Sequence, residues 1–144
     1  MRKRSRCNAE NKLRAMVSKL IGREVEAVSD CLYFSAVCEK EYPELSALFD
    51  GFGREHADNM KHLEGVLYER GIEYHGAIRA NANLICEYNV CSMVKDLISR
   101  ENEDIILYER LYLVDISNSF DIPIKEILRA SKGRLSILEN ILKT

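Results

Sequence analysis

The feature that most constrains this chain is an apolar stripe that returns four times. Over four long stretches, apolar residues recur at intervals of three and four, which places them on one face of an α-helix. In segment A, about residues 10–40, the stripe is Leu13, Val17, Leu20, Glu24, Ala27, Cys31, Phe34 and Cys38. In segment B, about 43–70, it is Leu45, Phe49, Phe52, His56, Met60, Leu63 and Leu67. Segment C, about 83–117, carries Leu84, Tyr88, Cys91, Val94, Ile98, Glu101, Ile105, Tyr108 and Tyr112. Segment D follows the turn SNSFDIP and carries Ile124, Ile127, Ser131, Leu135, Leu138 and Leu142, with Arg134 close by. Two prolines and seven glycines in 144 residues leave such stretches unbroken and supply too few turns for a β-sandwich.

The breakers fall where helices should start and stop. Pro43 precedes segment B, Gly71 closes it, and Asp121 with Pro123 opens segment D. The A–B and C–D turns are short, so each pair should form an antiparallel hairpin. Residues 71–82, GIEYHGAIRANA, lack a clean pattern and are long enough to cross over between hairpins. The expected fold is all-α: a four-helix bundle of two antiparallel hairpins joined by a crossover connection. Residues 1–9 are expected as a basic tail and 10–144 as the bundle.

Charge excludes several classes of function. Lys and Arg number 21 against 23 Asp and Glu, a net charge of −2, whereas a general polyanion binder needs a basic excess. No apolar run approaches the roughly 18 residues that span a bilayer. Neither nucleic acid nor membrane is therefore an expected partner. The five cysteines, at 7, 31, 38, 86 and 91, are odd in number and form no CxxC pair. The start, MRKRSRC, lacks the apolar run of a signal peptide, so a reducing, cytoplasmic setting is expected.

Each stripe is interrupted near its middle by a polar residue: Glu24, His56, Glu101 and Ser131. A buried carboxylate normally protonates, pairs or binds metal. Glu24, His56 and Glu101 come from three helices at similar depth, and glutamate with imidazole suits iron, manganese or zinc. As bland alternatives, Glu24 and Glu101 could be boundary residues, His56 a satisfied core histidine, and Ser131 a small helix residue bonding back to its own turn. Tyr88, Tyr108 and Tyr112 read as packing, and Cys31 and Cys38 as small hydrophobes.

With these residues in view, the chain from about 10 to 143 resembles the ferritin-like superfamily, specifically bacterioferritin and rubrerythrin. EVEAVSDCLYFSA resembles the family's helix A, HADNMKHLEGVL its helix B, SRENEDIILYERL its helix C, and ILRASKGRLSILENIL its helix D. In that family helices A and C each give one Glu, helices B and D each give a Glu-x-x-His pair, and the six residues hold two irons. The resemblance assigns Glu24, His56 and Glu101 to that set. The other ligand positions hold Gly53, Ser131 and Arg134, and Cys31 stands where a helix A tyrosine often does.

Two carboxylates and one guanidinium would leave two divalent ions poorly balanced in a low-dielectric core. Arginine has no lone pair for a metal but suits a forked bond to Glu24 or Glu101. Arg134 is therefore expected to replace the metal as counter-ion. A second register stays open, with Glu26 and His62 as the ligands and Asn59 at the lost Glu position. There Met60 falls where bacterioferritin carries its haem-ligating Met, but haem is not expected.

The first functional expectation is thus a ferritin-like bundle with a degenerate di-iron site, acting in structure, self-association or partner binding. The alternative is an iron-dependent oxidoreductase, a rubrerythrin-like peroxidase or ferroxidase, with a remodelled site. In it Glu24, His56 and Glu101 hold iron or another divalent metal, and Glu55, Asp104 or Cys31 fill the vacancies. Shell-type storage is less expected, because the chain stops after helix D without the family's short fifth helix. Apolar residues outside the stripes, namely Val25, Leu32, Ile106, Leu107 and Leu113, predict a homodimer.

Overall fold

The computed structural model describes residues 2–72, 89–118 and 122–144, with side chains for 8–72, 89–116 and 122–144. Four helices account for nearly all of them: α1 (Arg2–Cys38), α2 (Pro43–Glu69), α3 (Val90–Asn118) and α4 (Ile124–Lys143). The protein is all-α, with no strand among the described residues. None of the described helices is long and apolar enough to cross a membrane.

Helix α1 begins at Arg2, so the basic segment is helical from there. The physical reason is local: Arg, Lys, Ala, Glu and Leu dominate that stretch, and no glycine or proline interrupts it. Pro43 opens α2 from its first turn, where its missing N–H costs nothing. Gly71, at φ 65°, closes it. The Gly71 N–H donates to Tyr68 O at 3.0 Å and the Ile72 N–H to Leu67 O at 2.9 Å, which satisfies two terminal carbonyls. Pro123 sits at the N-cap of α4. The expected crossover, the stripe residues Leu84 and Tyr88, and Asp121 lie outside the described residues.

The backbones approach most closely between α1 and α2, between α3 and α4, and between α1 and α3. Ser35 and Ser46 tie the first hairpin together. The Ser35 hydroxyl donates to Ser46 O at 2.8 Å and the Ser46 hydroxyl to Ser35 O at 2.7 Å.

The core divides into two apolar clusters. One gathers Leu13, Val17, Leu20 and Ile21 of α1, Leu63 and Leu67 of α2, Tyr108 and Leu111 of α3, and Ile124 and Ile127 of α4. The other gathers Cys31, Phe34 and Cys38, then Phe49 and Phe52, then Met93, Val94 and Leu97, with Leu138. From the first cluster to the second, residue numbers rise along α1 and α4 and fall along α2 and α3. Helices α1 and α4 therefore run one way, and α2 and α3 the other. Each large side chain taken from water here contributes roughly 1.5–3 kcal/mol.

The stripe of α1 is buried throughout, from Leu13 to Cys38. In α3 the core face is Met93, Val94, Leu97, Glu101, Asp104, Tyr108 and Leu111. Cys91 is exposed, and Ile98, Ile105 and Tyr112 lie at the edge. In α4 Arg134 is buried where Leu135 was expected, and Leu142 is exposed. Apolar patterning chose the nonpolar neighbour at Ile105 and Leu135, because the true core residues there, Asp104 and Arg134, carry charge.

Candidate functional site

Between the two clusters lies a polar layer: Glu24 from α1, His56 and Asn59 from α2, Glu101 and Asp104 from α3, Ser131 and Arg134 from α4. All seven are buried, with Glu24 at 1% exposure and Arg134 at 3%. The layer sits mid-bundle because every helix places its polar residues between its two apolar runs.

Hydrogen bonds link the layer across all four helices. The Tyr108 hydroxyl donates to Glu24 Oε1 at 2.6 Å. His56 Nδ1 lies 2.6 Å from Glu24 Oε2, and His56 Nε2 lies 3.2 Å from Glu101 Oε1. Arg134 Nε donates to Glu101 Oε1 at 2.7 Å, and Arg134 NH2 to Glu101 Oε2 at 3.4 Å. The Ser131 hydroxyl also donates to Glu101 Oε2. At the rim, Arg134 NH1 donates to half-exposed Glu55 at 2.8 Å.

Electrostatics fix the protonation of the histidine. Burial works against an imidazolium, but the bonds to Glu101 and Glu24 and the charge of Glu24 outweigh it and hold His56 up at about 9. Both ring nitrogens therefore donate, one to each carboxylate. Burial likewise works against the charge on Glu101, and the bonds from His56 and Arg134 overcome it, leaving Glu101 at about 2. Arg134 is raised, because Glu101 and Glu55 more than offset its burial. Two carboxylates thus face two cations, and the group is neutral. Burial and the Glu24 charge push the Tyr108 phenol upward, so it stays a donor.

Arg23 and Asp104 form a second, adjoining pair through Arg23 Nε and Asp104 Oδ1, and Arg23 NH2 reaches Glu103 at 2.9 Å. Burial raises Asp104 and Arg23 lowers it, with Glu24 and Glu101 adding to the rise. Arg100 continues this seam, 2.6 Å from Asp30 and 3.5 Å from Glu26.

The structure brings Glu24, His56, Glu101 and Arg134 together. It does not unite Glu26 with His62: Glu26 pairs with Arg100, and His62 is exposed. Met60 packs against the first apolar cluster. Of the residues considered for vacant ligand positions, Glu55 binds Arg134 and Asp104 binds Arg23. Cys31 is buried in the second apolar cluster, and burial pushes its thiol up to about 12. Pattern reading missed Asn59 as a core residue and Arg23 as the partner of Asp104. The available signal was spacing, since Asn59 and Asp104 each stand three residues beyond a layer member on the same helix face.

This donor set does not fit a di-iron centre. Both oxygens of Glu101 accept from Arg134, whose guanidinium occupies a ligand position without a lone pair to offer a metal. A β-carbon at Gly53 would come within 3.3 Å of Cys31 Cβ. Among the described residues, no three His, Cys, Asp or Glu side chains are arranged to hold a metal ion. Comparison with protein-family models and with curated proteins finds no match to this chain.

Proposed function

We propose that this chain is a ferritin-like bundle in which ion pairs take the place of a di-iron centre, and that it works as a non-enzymatic, self-associating or partner-binding protein. The observation that carries this reading is Arg134, buried in the layer with its Nε 2.7 Å from Glu101. Helix directions support the ferritin-like arrangement: α1 and α4 run against α2 and α3, which asks for a long connection between α2 and α3. Self-association as a dimer is supported by large apolar side chains left in solvent, among them Leu32, Ile106, Leu113 and Ile116. Of the five residues expected on such a surface, Val25 and Leu107 instead pack against the core.

The test is aerobic ferrous titration of protein purified without chelator, with metal analysis of the same sample. The proposal expects no stoichiometric iron and no protein-dependent oxygen or peroxide consumption. A pair of iron ions per chain, with oxidation lost in Glu101→Ala, would contradict it and favour the peroxidase or ferroxidase reading.

A further inference from the structure

Helix α1 carries a second pattern on the side away from the core. Leu20, Glu24, Ala27 and Cys31 mark its buried face. Gly22 follows Leu20 by two residues, about 200° around the helix, so it stands opposite that face. Ala15, Ser18, Gly22 and Ser29 follow one another at steps of three, four and seven, which keeps them on the outward side. None of the four is buried. A β-carbon added at Gly22 would meet nothing within 4 Å. No close approach among the described residues asks for glycine there, although glycine is unfavourable inside a helix. Toward the end of α1 apolar side chains flank the same side: Leu32 is 51% exposed, Tyr33 37% and Val37 47%. Covering them would be favourable.

Charge selects what covers them. Residues 2–19 hold seven Lys or Arg and one acid, Glu10. Residues 26–44 hold five acids and one base, Lys40. One end of α1 is therefore strongly basic, and the other end, with the turn into α2, is acidic. Lys12, Arg14 and Lys19 at the basic end are exposed, as are Glu39, Glu41 and Glu44 at the acidic end. Two such helices laid parallel set like charge against like. Laid antiparallel, they set each basic end beside an acidic one. A two-fold axis across the helix generates that arrangement, so the surface that complements α1 is α1 itself. Ile106 and Leu113 of α3 are also exposed, but they stand in a run of mixed charge with no such polarity.

We propose that two copies of this chain pair through the outward face of α1, antiparallel, with the two-fold axis at Gly22. The small residues let the two backbones approach. Residues whose numbers sum to about 44 then stand level, which sets Ala15 beside Ser29 and the basic first turns of α1 beside the acidic α1–α2 turn. Arg14 and Leu32 lie five full turns apart, on one side of the helix. Leu32 of each copy therefore packs on the methylene stem of the other's Arg14. This inference rests on the self-association reading above and names its surface.

The test is sedimentation equilibrium of the full chain, unaltered and in three variants. The unaltered chain should be a dimer whose dissociation constant rises about tenfold or more between about 0.05 and 0.5 M salt. Gly22→Arg should be a monomer with unchanged circular dichroism, since the space around Gly22 is open. Under mild oxidation Gly22→Cys should form disulfide-linked dimers well beyond those of the unaltered chain. Ala36→Cys should not, because its two copies would stand about 42 Å apart. A dimer indifferent to salt and to Gly22→Arg, or one that cross-links through Ala36→Cys and not Gly22→Cys, would overturn this inference and leave self-association standing. A monomeric unaltered chain would overturn both.

Discussion

The apolar clusters and the polar layer hold the same four helices together by different physics. In the clusters, side chains such as Leu20, Leu67 and Leu111 gain free energy in proportion to area removed from water, with little demand on direction. In the layer, Glu24, His56, Glu101 and Arg134 are tolerable only as a set, because each buried charge is balanced by another and aimed at it. The first arrangement forgives small changes of shape. The second fixes which residues of α1, α2, α3 and α4 stand level, and it fails when one member is lost. The layer therefore specifies register more than it adds stability.

That contrast can be broken at Arg134. Arg134→Met leaves the Glu101 charge without its main partner and should destabilise the protein by about 3–5 kcal/mol in urea unfolding. Adding Glu101→Gln should recover part of the loss; a single variant as stable as the parent would refute the account. A smaller effect is expected from pH. His56 is raised from 6.5 to about 9, so its contribution is fully present below about 6.5 and is lost as pH rises through 9. The decline should amount to roughly 3 kcal/mol and be absent in His56→Gln, as measured by unfolding midpoints across that window.

Tyr108→Phe removes a single donor from Glu24 and should cost about 1.5–3 kcal/mol, leaving the apolar packing of the ring in place. Ile21→Val, in the first cluster, should cost only about 0.5–1.5 kcal/mol. If Ile21→Val proved as damaging as Arg134→Met, the distinction between a tolerant core and an exacting layer would be lost.

Much of this arrangement was legible in the sequence. The stripe of α1 could be read residue by residue, since its only charged member, Glu24, stands among uniformly apolar neighbours. His56, Glu101 and Arg134 stood out by interrupting the stripes or lying beside them, and all three reach the layer. Asp104 was harder to place. It lies in the charge-rich run RENED, where a solvated face is the ordinary reading, and its burial depends on Arg23 from another helix. Cys91 was assigned to the core because a stripe stepped at three and four drifts slowly around a long helix.

The most direct test of the central claim is the protonation state of His56 in the folded protein, followed by nitrogen-15 NMR of the imidazole ring as pH is varied. The account expects both ring nitrogens protonated at neutral pH and an imidazolium that titrates near 9. A neutral ring at pH 7, with one nitrogen bare, would mean that His56 is not the cation between Glu24 and Glu101, and the ion-pair layer would have to be abandoned.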